Sequence, residues 1–146
     1  MEVSLLFNDF VSRMNASSLF QQASRGADFT IQFRIIPAVH RAPLNTFAGS
    51  EGQWWNIVIK DGKAELAEGD RRASVDVRSR VEYECEADSA AEILTGATTV
   101  GKALLDDRLV AGGVLAHFAG TLIHLTHCGD DGSQFLPGGY VKAFLR

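Results

Sequence analysis

Residues 54–68 read WWNIVIKDGKAELAE, and this stretch decides the fold. Asp61-Gly62 sits between two runs of strand-forming residues. A type I′ turn needs positive φ at both central positions, so Asp-Gly is the strongest short hairpin signal. Trp54–Lys60 is therefore predicted as one strand and Lys63–Glu68 as its returning partner. Trp54 and Trp55 are neighbours, so in a strand they point to opposite faces. One is expected to be buried. The other is expected near an edge or interface, where an exposed aromatic marks a partner surface.

Toward the N-terminus, Asp28–Ile36 alternates, with Phe29, Ile31, Phe33 and Ile35 on one side and Thr30, Gln32 and Arg34 on the other. That is a strand with one buried and one polar face. Pro37 ends it, because proline cannot donate to a ladder. Before it, Leu5, Leu6, Phe10, Met14, Phe20 and Ala23 recur at three- and four-residue steps and predict one helix over 3–24. Residues 37–53 form a long connection that holds Leu44 and Phe47. Loops of this length often serve as lids or binding loops.

Toward the C-terminus, Ala73, Val75 and Val77 alternate with Ser74, Asp76 and Arg78 as a fourth strand. Hairpins in succession argue for an antiparallel meander. The pattern then turns helical. Ser89-Ala90-Ala91-Glu92 reads as a capping box, followed by Ile93, Leu94 and a stop at Gly96. Thr98 or Thr99 starts a short helix through Leu105, and 108–112 is a fifth strand. Val114, Leu115, Phe118, Leu122 and Leu125 line a last helix that ends near Gly129. The tail carries Phe135, Leu136, Tyr140, Phe144 and Leu145 and is expected to dock on the body. The expectation is a single α+β domain over 1–146, with a mainly antiparallel five-stranded sheet and helices covering one face. Its core is 28–128, flanked by the helix 3–24 and the tail 129–146.

Composition narrows the function. A chain of 146 residues fits one domain. With 46% hydrophobic and 22% charged residues it is not a disordered chain. No apolar run approaches the roughly 20 residues that span a bilayer. Fourteen basic against eighteen acidic residues, a net charge of −4, lack the basic excess that neutralises phosphates, so nucleic acid is not an expected partner. The two cysteines, Cys85 and Cys128, have no CxxC spacing, and Glu2 stands where a signal peptide carries positive charge. A reduced, cytoplasmic setting is expected. Cys85 has no histidine or basic cluster beside it, so an inert thiol is expected.

Four local words, in this order, resemble the sterol carrier protein 2 family of lipid-binding domains. They are Trp55-Asn56-Ile57-Val58-Ile59-Lys60-Asp61-Gly62, then Gly69 leading into Ala73-Ser74-Val75-Asp76-Val77, then Ala91-Glu92-Ile93-Leu94-Thr95-Gly96, then Lys102 to Gly112. The resemblance covers roughly residues 28–128. The chain departs from the family in three places. Asp107 stands where the family usually has glycine, the segment 37–53 is longer than usual, and the tail after Gly129 has no assigned counterpart. The resemblance implies an apolar tunnel between sheet and helices that accepts a lipid or fatty acyl chain.

The residues available to wall such a tunnel are Phe29, Ile31, Phe33 and Ile35 on one strand and Trp55, Ile57 and Ile59 on the next. Val75 and Val77 lie on a third, and Leu94, Val114, Leu115, Phe118 and Leu122 on the helices, with Ile93 beside Leu94. Ligand pockets are mostly apolar with few polar groups, and this set matches that. The same residues would equally serve as ordinary core, because a one-sided sheet needs such a face anyway. An empty apolar cavity of about 300 Å³ would cost roughly 7 kcal/mol at about 24 cal/mol per Å³. A large tunnel must therefore be filled, collapsed or gated, and 37–53 together with the tail, through Phe47, Phe135 and Tyr140, is the expected gate.

Sharper chemistry finds little support. His117, Thr121, His124 and Cys128 share one helical face, and His124 with His127 or Cys128 has metal-ligand spacing. No HExxH or paired CxxC accompanies them, so no metal and no cofactor are expected. Asp106-Asp107 and Asp130-Asp131 lack the alternating oxygen ligands of a calcium loop and suit helix ends and turns. Gly112-Gly113 lacks the lysine-serine pair of a phosphate loop. The leading expectation is a non-catalytic lipid or hydrophobic-ligand carrier. One alternative is an accessory or dimerising module with a closed tunnel, with a homodimer among its forms. Another is a small enzyme using His117 or His124 as general base, for which no orienting acid is found.

Overall fold

The computed structural model describes residues 3–37, 53–67 and 79–128. Among the described residues five strands form one sheet in the order β3-β2-β1-β4-β5. The central strand β1 (Asp28–Ile36) pairs antiparallel with β2 (Gln53–Lys60), and β2 pairs antiparallel with β3 (Lys63–Ala67). Asp61 and Gly62 take φ of 46° and 82°, the two positive values that the hairpin turn requires.

On the other side of β1 lies β4 (Arg80–Glu86), which runs parallel to it, and β5 (Val110–Gly112) closes that edge antiparallel to β4. β1, β2 and β3 form the expected antiparallel run, and the sheet is mixed because β4, a strand not among those expected, lies parallel to β1 on its other side. The strand expected over 73–78 lies outside the described residues, as do the gate segment from 38 to 52 and the tail from Gly129. β4 itself has a clean period of two that the sequence reading passed over. Val81, Tyr83 and Cys85 are buried, while Glu82, Glu84 and Glu86 alternate with them.

The helix expected over 3–24 is broken in two: α1 (Val3–Ala16) and α2 (Ser18–Ala23). Ser17 between them is extended (φ −88°, ψ 118°), and its side chain accepts from the Phe20 amide at 3.1 Å. Serine satisfies an orphan helix donor best from outside the helix, so it starts a new helix at the expense of the old. The apolar stripe of α1 is also turned from the expected one. Leu6, Phe7, Phe10 and Met14 face inward, and Leu5 is 61% exposed. At the end of α1 the Asn15 amide binds the backbone of Ala64 twice, Nδ2 to its carbonyl and Oδ1 from its N–H, each 2.8 Å. That satisfies both backbone groups of Ala64 that do not face β2.

α3 (Ala87–Thr95) begins two residues before the expected capping box. Ser89 is inside the helix and buried, accepting from Arg108 Nε at 3.3 Å, and Glu92 pairs with Arg108 at 2.6 Å. A long-range partner has overridden the local motif. α4 (Val100–Leu105) starts from Thr99, whose side chain accepts from the Lys102 amide. Asp107 follows in the left-handed region at φ 57°. Only glycine, asparagine and aspartate visit that region readily, which explains an aspartate at a position where glycine is usual. α5 (Ala116–Thr126) starts later than expected and leaves Val114 outside it, 83% exposed.

Candidate ligand-binding site

Register places the apolar residues of three strands in rows. Phe29 lies opposite Ile59, Ile31 opposite Ile57 and Phe33 opposite Trp55. On the other flank Ile31 lies beside Val81, Phe33 beside Tyr83 and Ile35 beside Cys85. All share the inner face, since alternate residues of a strand point the same way. The helices answer with Phe7, Phe10 and Met14 from α1, Phe20 from α2, Ile93 and Leu94 from α3 and Leu122 from α5.

Aromatic contacts run through this layer. Phe7 meets Phe33 edge-on at 5.2 Å and stacks on Trp55 at 5.1 Å and 11°, while Phe33 meets Tyr83 at 5.4 Å and Phe29 meets Phe118 at 5.7 Å. Of the wall residues expected from sequence, Phe29, Ile31, Phe33, Ile35, Ile57, Ile59, Leu94 and Leu122 are buried in one core. Trp55, Leu115 and Phe118 are half-buried against it. Val114 is not brought to it: it precedes α5 and faces solvent, because the helical period that predicted it does not extend that far back. Val75 and Val77 lie outside the described residues. Phe7, Val81 and Tyr83 belong to the layer and were missed. The alternation of β4 was the available signal for two of them.

The inner layer is closed. Phe7, Phe10, Met14, Phe33, Ile57 and Leu122 all have 0% exposure, so sheet and helix side chains interlock. Tyr83 donates to the Ala116 carbonyl at 2.6 Å, and burial pushes its hydroxyl pKa up. Cys85 is fully buried and its thiol is pushed up to about 12 by burial first, with Glu84 and Glu86 adding. Neither group is a nucleophile at neutral pH.

The outer face of the same strands is polar yet mostly buried: Thr30, Gln32, Arg34, Asn56 and Arg80 are each 9% exposed or less. Arg34 Nη1 meets Glu84 Oε1 at 2.9 Å, and its guanidinium lies 5.0 Å from the Trp54 ring. The outward tryptophan is thus Trp54, half-buried under an arginine and not open as an interface. Gln32 Nε2 donates to Asn56 Oδ1 at 2.9 Å, and Arg80 pairs with Glu82 at 3.0 Å. A cavity of about 240 Å³ lies on this face beside Trp54, Glu84 and Val110. A wider one of about 830 Å³ runs along the β2–β3 hairpin past Arg25, Lys60 and Lys63.

The other candidates separate. His117 is exposed, and Thr121 and Cys128 return their side chains to the carbonyls of His117 and His124. Among the described residues no three histidine, cysteine or acidic side chains gather to hold a metal ion. Asp106 pairs with Lys102 at 3.0 Å, within one helical turn. Among the described residues no helix is long and apolar enough to cross a membrane.

No family model and no curated protein matches the sequence. Solved structures do match the fold. The chain is similar to a crystal structure of sterol carrier protein 2 (TM-score 0.57, 15% identity, covering 84% of this chain and 93% of that one). It is similar to the solution structure of palmitated SCP2L2 from Aedes aegypti (TM-score 0.57, 20% identity, 87% and 96%). It is also similar to the apo form of sterol carrier protein 2 from Yarrowia lipolytica (TM-score 0.54, 12% identity, 80% and 91%). The likeness covers most of each chain and shows the fold: a five-stranded, mostly antiparallel sheet with helices on one side.

Proposed function

We propose that this chain, which has the sterol carrier protein 2 fold, binds an acyl chain or another apolar molecule between the inner face of its sheet and its helix layer. It holds the ligand by shape, makes and breaks no bond, and acts as a cytoplasmic carrier. The observation that carries this reading is the apolar surface three strands wide, Phe29, Ile31, Phe33 and Ile35 flanked by Trp55, Ile57, Ile59 and by Val81, Tyr83, Cys85, opposed by the apolar helix residues Phe7, Phe10, Met14 and Leu122. A similar fold has been solved in a palmitated form, which is a property of that protein.

The close packing of the layer accords with the energetics. An open void of about 300 Å³ would cost roughly 7 kcal/mol, comparable to the whole stability of a typical domain. A ligand entering the layer must exchange sheet–helix contacts for its own. Binding is then expected to be saturable and to disturb Trp55, which stacks in the layer, more than Trp54, which lies outside it.

The test uses the Trp54→Phe protein, whose remaining tryptophan is Trp55, titrated with a fluorescent acyl chain and followed in parallel by native mass spectrometry. A one-to-one adduct with a shift in Trp55 emission supports the reading. No adduct and an unchanged emission at saturating probe overturn it.

A further inference from the structure

The ends of α1, α3 and α5 meet in a polar cluster that plays no part in the ligand layer. His127, just past the end of α5, sets Nε2 3.1 Å from the Ile93 carbonyl of α3 and its ring 5.5 Å from Phe10 of α1. Arg13 of α1 donates from Nη2 to the next carbonyl, Leu94, at 2.9 Å, and its Nε faces Asp9 at 3.1 Å. The last carbonyls of a helix have no partner within it. Here the Leu94 carbonyl accepts from Arg13, and the Ile93 carbonyl, which also accepts from the Gly96 N–H at 3.3 Å, faces His127.

Gly96 makes the seat for the imidazole. It stands at φ 84°, and a Cβ there would lie 2.9 Å from His127 Cγ and 3.1 Å from Nδ1. A side chain there would crowd the ring, so that it or the backbone at 96 must shift. We propose that this cluster is an acid-released latch on the helix layer: neutral His127 fastens the end of α5 to α3, and protonation frees it. The proposal rests on the reading above, because what the latch governs is access to the apolar face behind Phe10, Leu94 and Leu122.

The charges around the ring support release by acid. α1 presents the Arg13 guanidinium with Asp9 beside it, and α5 presents His124 one turn back. α3 presents only carbonyl oxygens, since Glu92 is drawn to Arg108 at 2.6 Å. Burial acts first to hold the His127 pKa below its ordinary 6.5, and Arg13 and His124 act in the same direction. The Ile93 carbonyl opposes them. A proton added to the ring puts a second cation beside Arg13 in a half-buried site. The imidazole is then better solvated outside the seat.

The test is amide hydrogen exchange on the full chain at pH 7.5 and 5.5, corrected for intrinsic rate, with the amides of β1 as the reference for global unfolding. A His127→Gln variant keeps an N–H donor and cannot titrate. The wild type is expected to lose about tenfold in protection at Leu94–Gly96 and His124–Cys128 as the pH falls, while the variant loses none. Equal losses in both proteins, or no loss, overturn the latch. Where the variant fails to fold, proton NMR of the wild type decides. The exchange midpoint must follow the titration of His127, and a midpoint that follows exposed His117 overturns it. Uptake of a fluorescent acyl chain gives a separate readout, expected to quicken at pH 5.5 in the wild type alone. Exchange that opens without faster uptake overturns the role in access. No uptake at either pH sinks the proposed function, while exchange still decides the latch.

Discussion

β1 sends alternate side chains into two different solvents. Phe29, Ile31, Phe33 and Ile35 enter an apolar layer in which burial alone stabilises them. Thr30, Gln32 and Arg34, on the same nine-residue strand, are also buried, but each must be satisfied by partners. The Arg34 guanidinium meets the Glu84 carboxylate and the Trp54 ring, and Gln32 meets Asn56. Burial is therefore the same on both faces while its thermodynamic meaning is opposite. Inside, removing atoms costs contact; outside, removing one partner strands the other.

The largest effect is expected inside. Phe33→Ala removes a ring that touches both Phe7 and Tyr83. It is expected to cost about 3–5 kcal/mol in urea denaturation, the range for deleting a buried aromatic ring. A loss under about 1 kcal/mol would mean the inner layer is loose enough to refill, as a ready-made ligand cavity would be. Next comes the outer face. Arg34→Met leaves the Glu84 carboxylate, which burial already disfavours, without the guanidinium 2.9 Å away, at an expected cost of about 2 kcal/mol. The double change Arg34→Met with Glu84→Met is expected to fall within about 1 kcal/mol of wild type, because a buried pair replaced by apolar residues is often neutral. A double change as costly as the single one breaks the comparison.

pH separates the outer pair from the helix latch. Burial raises the Glu84 pKa above 4.5, and this outweighs the lowering by Arg34. The folded state then binds a proton that the unfolded state has already lost, so this group's contribution to stability falls as pH rises above 4.5 through the raised value. His127 has the opposite sign. Its folded pKa lies below 6.5, so its contribution is full above 6.5 and is lost as pH falls through the lowered value. Stability measured between pH 4.5 and 7 should slope more steeply upward with pH in Glu84→Gln and more gently in His127→Gln. Parallel curves for all three proteins contradict both assignments.

The two faces also differ in how well the sequence announces them. The inner residues of β1 and β2 are legible because a period of two and an Asp-Gly turn are local signals, and the β2–β3 register follows from the hairpin. The Arg34–Glu84 pair is not legible, since its members stand fifty residues apart on strands that run parallel. No local rule announces which distant strand will lie beside β1. The same holds for Ser89 and Glu92, whose spacing spells a cap until Arg108 claims both. Ser17 is the converse: a purely local preference that broke a helix whose hydrophobic period continued across it. The imidazole of His127 was read beside possible metal partners, because its seat depends on a glycine from another helix.

The smallest effect tests whether the inner face is as uniform as its burial suggests. Trp55 is stacked on Phe7, but its Nε1 is buried with no hydrogen-bond partner among the described residues. A buried donor left unmade costs about 1–3 kcal/mol, while the ring itself contributes through area and stacking. Trp55→Phe keeps an aromatic plane for Phe7 and deletes the stranded donor. The two changes oppose each other, so the net loss is expected to stay below about 1 kcal/mol, far short of Phe33→Ala on the same face. A loss as large as that of Phe33→Ala would mean the indole N–H has a partner, and the layer would then hold a polar contact where only apolar ones are drawn. A gain in stability would mark Trp55 as the one inner residue kept against the interest of packing, at the point where an acyl chain would meet the sheet.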